Sequence, residues 1–106
     1  MAIEITVGTH EDFMDMIDQK DFRIARAVVN TIFGNIKSKK KDIHVLTVNC
    51  EEENESFDIT IDSKNFADSL EEMLPFYIKE ELYEECQKIA DTITLLKSNP
   101  DNGSKS

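Results

Sequence analysis

The sequence predicts an α+β domain in the order β-α-β-β-α-α. A small three-stranded sheet is covered on one face by helices, and the chain closes on a C-terminal helical hairpin. Three observations carry this expectation. Apolar residues alternate with polar ones over short runs at 3–7 and 56–62, the period of a half-buried strand. Apolar residues recur at helical spacing from Phe22 to Ile36 and from Leu82 to Leu96. A short helical pattern also occurs twice, at 21–32 and 82–93: an aromatic (Phe22, Tyr83), a small residue (Ala25, Cys86), an aliphatic (Val28, Ile89), then Asn30-Thr31-Ile32 or Asp91-Thr92-Ile93.

The first strand rests on Ile3, Ile5 and Val7, with Glu4 and Thr6 facing the other way. Gly8 breaks it. Thr9 is the expected N-cap of a helix whose first turn holds Glu11 and Asp12, where the helix dipole favours acids. Phe13, Met14 and Ile17 give that helix its apolar side. The polar run 18–21 predicts a break or kink, because the apolar stripe changes phase there, and Asp21 is placed to cap the continuation. Phe22, Ala25, Val28, Val29, Ile32, Phe33 and Ile36 then share one face. Lys37 to Lys41 are expected to end this helix, since cations stabilise a helix C-terminus.

Ile43 to Cys50 and Ser56 to Asp62 read as a hairpin. The first run is apolar on both faces and so is expected at the centre of the sheet. Phe57, Ile59 and Ile61 point to one side of the second. Glu51-Glu52-Glu53-Asn54-Glu55 makes a loop whose four acids are expected to stay solvated, and without glycine it is not a tight two-residue turn. Asp62 or Ser63 caps the next helix, built on Phe66, Leu70, Met73, Leu74, Tyr77 and Ile78. Pro75 is expected to kink it or to start a new helix. Leu82, Tyr83, Cys86, Ile89, Ala90, Ile93 and Leu96 form the expected buried face of the last helix. Residues 1–97 are read as one domain, and 98–106, which hold nothing apolar, as a disordered tail.

Composition bounds the function. At 106 residues and 40% hydrophobic content the chain supports one modest core. No apolar run spans a bilayer, and the N-terminus lacks the features of a secretory signal, so a cytoplasmic location with Cys50 and Cys86 as free thiols is expected. The net charge is −10 and uneven: residues 37–41 carry +4, and residues 42–62 carry −7 without one Lys or Arg. A field of that sign repels phosphate backbones and is compatible with a basic protein partner or with imitation of nucleic acid.

Little in the sequence points to chemistry. His10, His44, Cys50 and Cys86 are scattered and lack zinc spacing, and the acidic loop lacks the glycine and alternating ligands of a calcium loop. His44 lies mid-strand and His10 in a first helical turn. The acids beside Cys50 disfavour its thiolate. The glycines, at 8, 34 and 103, are isolated and form no phosphate loop. No cofactor, metal site or catalysis is expected, and no direct nucleic-acid or membrane binding.

Residues Leu70 to Ile93 resemble the UVR motif, a short helical hairpin of the excinuclease B and C subunits, of Clp-type ATPase middle domains and of their kinase-associated partners. Leu70, Met73 and Ile78 would occupy its first helix. Tyr83-Glu84 would open the second, with Cys86, Ile89, Asp91 and Ile93 matching the rest. Ala90 stands where the motif carries Arg, and Pro75 is unusual in the first helix. The resemblance implies protein–protein docking. In overall style the chain also resembles small acidic accessory proteins of bacteriophages.

These features favour a small adaptor or inhibitor that binds another protein through Phe76, Tyr77, Lys79, Glu80, Glu81, Tyr83 and Glu84, with Glu51, Glu52, Glu53 and Glu55 as an electrostatic guide. A nucleic-acid mimic that blocks a DNA- or RNA-handling enzyme is the alternative. A structural subunit that self-associates through its sheet face or an edge strand is a third.

Overall fold

The computed structural model describes residues 3–98; the expectation of a disordered tail falls almost wholly outside them. The elements are β1 (Ile3–Val7), α1 (His10–Asp18), α2 (Phe22–Gly34), β2 (Ile43–Cys50), β3 (Glu55–Ile61), a 3-10 turn (Ser63–Asn65), α3 (Phe66–Lys79) and α4 (Tyr83–Ser98). The α+β expectation holds, with β2 at the centre of the sheet. It is parallel to β1 and antiparallel to β3. The stretch from 10 to 36 forms two helices, so the order is β-α-α-β-β-α-α.

Local chemistry sets each boundary. A capping box opens α1: Asp12 N–H donates to Thr9 Oγ1 (3.2 Å) and Thr9 N–H to Asp12 Oδ2 (3.1 Å). Asp21 caps α2 by accepting from Arg23 N–H at 3.0 Å. The Arg23 guanidinium also donates to both carboxylate oxygens, which holds Asp21 below its usual range. Helix α2 stops at Gly34, so the lysines at 37–41 lie in the following loop and not in the last helical turn. The loop is tied instead through Lys40 C=O, which accepts from Ser63 N–H at 3.0 Å. Asp62 caps the 3-10 turn that leads into α3. Helix α3 runs without interruption through Pro75. Pro75 lies on the exposed side, where solvent can replace the missing backbone donor.

Strand β2 corrects one expectation. It is not apolar on both faces. A bulge between His44 and Leu46 inserts Val45, so the buried set changes phase from Ile43 and Val45 to Leu46, Val48 and Cys50. The outer face is polar: Glu4, Thr6, His44, Thr47, Asn49, Ser56, Asp58 and Thr60. The inner face packs under α1 and α2. Phe13 of α1 meets the edge of Phe57 (centroids 5.8 Å apart), and α2 lies on β2.

From the sheet the layers continue outward: α2 packs on α3, and α3 along α4. Ala25, Ile32, Leu46, Val48, Leu70 and Ile89 are fully buried in one continuous core. Each large side chain of this kind contributes about 1.5–3 kcal/mol before conformational entropy opposes it. In α4 only Ile89 and Ile93 are buried.

Candidate functional site

Both helix–helix connections use one device. At α1–α2, Lys20 N–H donates to Ile17 C=O and Asp21 N–H to Met16 C=O. At α3–α4, Glu81 N–H donates to Ile78 C=O and Leu82 N–H to Tyr77 C=O. These are Schellman closures, with Lys20 (φ 57°) and Glu81 (φ 60°) in the left-handed position that glycine usually fills. The sequence repeat therefore begins one turn earlier than its aromatic and encodes a turn as well as a helix face. The two turns sit side by side, because Lys79 Nζ donates to Gln19 C=O at 2.8 Å.

The predicted partner-binding residues divide at this end of the molecule. Phe76 and Tyr77 are only 5% and 4% exposed and belong to the core, so they are not surface anchors. The reason is their phase on α3: they lie one turn beyond Met73 and two beyond Leu70 on the inward side, and Tyr77 packs edge-on against Phe22 of α2 with centroids 4.7 Å apart. Tyr83 departs the other way. Placed by its spacing on the buried face of α4, it is 63% exposed. Glu80, Glu81 and Glu84 are exposed around it. Ile78, which the sequence reading placed on the inner face, is 51% exposed. Lys79 is occupied by its bond to Gln19.

The acidic loop does not join this surface. Glu51 and Glu52 N–H donate to Val7 and Gly8 C=O, extending the β1–β2 ladder. Glu53 accepts from His10 N–H at 3.1 Å and so satisfies an open donor at the start of α1. The loop is exposed as expected, but it is docked and not free. A Cβ on Gly8 would come within 2.7 Å of Asp12 Oδ2 and 2.8 Å of Glu52 Oε2, so the glycine lets these carboxylates close over the turn. The nine residues of α1, about 13 Å of helix, separate this loop from the hairpin end. Below it, burial pushes the Cys50 thiol up, and Glu53, Glu55 and Asp12 push it further. Cys50 and Cys86 are both free thiols.

On the outer sheet face, Thr47 Oγ1 donates to Asp58 Oδ1 (2.7 Å) and lies 2.9 Å from His44 Nε2. The hydroxyl has one proton, directed to Asp58, so His44 Nε2 is the donor in its contact. A nucleophile passing its proton to a histidine base requires the opposite direction. Asn49 bridges Glu4 and Ser56 in the same ladder. This face is a cross-strand hydrogen-bond network. Among the described residues no cluster of His, Cys, Asp and Glu is arranged to hold a metal ion, and no helix is long and apolar enough to cross a membrane.

Sequence reasoning missed a cleft of about 380 Å³ between α2 and α4. Its walls are Phe22, Val29, Phe33, Tyr77, Leu82 and Ile89, and its rim carries Arg26, Asn30, Glu85 and Lys88. The signal was present as polar residues interleaved with the apolar stripes of both repeated segments, but which stripes face each other depends on α3 lying between them.

No family model matches the chain, and neither a curated protein nor a solved structure aligns with it.

Proposed function

We propose that this protein is a small non-catalytic binding module, an adaptor or inhibitor acting in the cytoplasm, that docks on another protein through the α3–α4 turn. The observation that carries the reading is the exposure of Tyr83 and Ile78 on either side of that turn, with Glu80, Glu81 and Glu84 exposed next to them in the chain. Exposed tyrosines are frequent interface anchors, and an acidic rim selects a basic surface around the pocket that receives them. The likeness of residues 70–93 to UVR-type docking hairpins, and of the chain's style to phage accessory proteins, supports the same reading.

Affinity capture from a nuclease-treated lysate of the source cell tests it, with wild type, Tyr83→Ala and Ile78→Ser as baits at matched stability. A protein retained by wild type through a high-salt wash and lost with both variants is the expected result. A nucleic-acid enzyme held only at low salt, and held equally by the variants, would replace this reading with mimicry through the acidic surface.

A further inference from the structure

We propose that the cleft between α2 and α4 binds a small amphipathic carboxylate, its alkyl or aryl body on the apolar walls and its head group between Tyr77, Arg26 and Lys88. Three observations converge. The first is shape: about 380 Å³ of space lies between helices that share α3 as their support. That is within the range of sites that take small organic ligands. Its apolar walls suit a hydrocarbon body, and the polar residues that share the lining suit a charged head group.

The second is the Tyr77 hydroxyl. Tyr77 is 4% exposed as a residue and lines the cleft; its hydroxyl has no hydrogen-bond partner among the described residues and keeps contact with solvent, since no buried side-chain oxygen or nitrogen among them is left unpartnered. A phenolic O–H at the edge of an apolar cleft is a donor that water holds until a ligand acceptor replaces it. Here the open side is the cleft, where an incoming acceptor would meet it. Burial raises the Tyr77 pKa, with Arg26 opposing and Glu85 adding to that shift, so the hydroxyl stays protonated and available as a donor at neutral pH.

The third is charge. The chain carries −10 overall, but this rim holds Arg26 and Lys88 against the single acid Glu85. Arg26 lies over the Phe22 ring, 5.8 Å from its centroid, and neither cation forms a salt bridge within 4.0 Å among the described residues. One excess positive charge matches a monoanion. A phosphate monoester, close to a dianion at neutral pH, would leave charge facing Glu85. The guanidinium fork also fits a carboxylate directly.

The test is titration calorimetry and thermal denaturation of the intact chain with decanoate below its micelle concentration. Decanol, decyltrimethylammonium and decyl phosphate are the comparison probes. Decanoate is expected to bind best and to raise Tm with concentration, because it ties α4 to α2. Tyr77→Phe removes one oxygen and leaves the ring against Phe22; it should weaken decanoate binding about tenfold, the effect of a hydrogen bond to a charged group. Arg26→Gln and Lys88→Gln alter exposed side chains, so they remain informative if Tyr77→Phe folds poorly, and each should also weaken binding. Equal or tighter binding of the ammonium or phosphate probe, wild-type affinity in both rim variants, or no binding of decanoate would overturn the proposal.

Discussion

Two regions of this molecule carry the same short sequence pattern in different settings. The α1–α2 and α3–α4 pairs are joined by the same Schellman turn with a non-glycine residue in the left-handed position, and each second helix opens on an aromatic. Yet α1 and α2 diverge after their turn, so that α2 lies between the sheet and α3, whereas α3 and α4 run antiparallel in contact. Helix α2 therefore buries Ile24, Ala25, Ala27, Val29 and Ile32, and α4 only Ile89 and Ile93. The aromatics diverge most: Phe22 is half-buried against Tyr77, and Tyr83 stands in solvent. The pattern specifies a turn and a helix face. How much of that face is covered depends on what the rest of the chain places beside it. The copy left uncovered is the one on which the proposed docking surface rests.

The largest expected contrast is at the matched isoleucines that end the pattern. Ile32 is fully buried at the centre, and Ile93 is 8% exposed in the outermost helix. Ile32→Ala should cost about 4 kcal/mol and Ile93→Ala about 2 kcal/mol, because the outer helix can settle into the space while the inner one is held on both sides. Urea denaturation measures both. Equal costs would mean that α4 is as constrained as α2 and that the contrast between the pairs is false.

The aromatics sharpen the comparison. Phe22→Ala removes a ring packed edge-on against Tyr77 and should cost about 2 kcal/mol, less than a fully buried phenylalanine. Tyr83→Ala should change stability by no more than about 0.5 kcal/mol, as exposed substitutions do. A large loss at Tyr83 would identify it as a core residue and remove the anchor of the proposed docking surface.

Where the two units are alike, they should respond alike. Lys20→Gly and Glu81→Gly each relieve a side chain in the left-handed region but give the unfolded chain more freedom. The net gain should be about 0.5–1 kcal/mol at each turn, read as a shift in the urea midpoint. If only one variant gains, the turns are not equivalent despite their shared hydrogen bonds.

Much of this was legible in the sequence because it is local. Thr9 and Asp21 announce helix starts through side-chain oxygens that bond to neighbouring amides, and the phase change at 18–21 marks the break. The alternation in β3 survives intact. What was not legible depends on contacts distant in sequence. The phase of β2 is reset by the bulge at Val45, which looks in one dimension like a strand apolar on both sides. Phe76 and Tyr77 resemble interface anchors until α2 is placed against them. Tyr83 obeys helical spacing, but in the fold it is 63% exposed. The acidic loop reads as free charge because its bonds to Val7, Gly8 and His10 cross some forty positions of chain. The cleft needs three helices to exist at all.

The smallest effect separates the two ends of the pH scale. The protected protons lie in or beside the core: Cys50 and Tyr77 are both raised by burial, above ordinary values of 9.0 and 10.0. In the unfolded chain these groups ionise at their ordinary values, whereas in the folded protein they keep their protons longer. Above pH 9.0 the unfolded state therefore binds fewer protons than the folded one, and stability falls as pH rises. Lys97, raised by its 2.6 Å hydrogen bond to Glu71, acts in the same direction above 10.5. Asp21 is lowered, so its contribution is complete above 3.8 and is lost as pH falls below that value. Urea midpoints measured across pH should show a plateau between these limits. In Cys50→Ala the alkaline decline should begin later, near the ordinary value of tyrosine, while the acid limb stays in place. In Asp21→Asn the reverse is expected: the acid limb shrinks and the alkaline one is unchanged. Movement of both limbs in either variant would show that the turn beside α2 and the thiol beneath the acidic loop are coupled, contrary to their placement at opposite ends of α1.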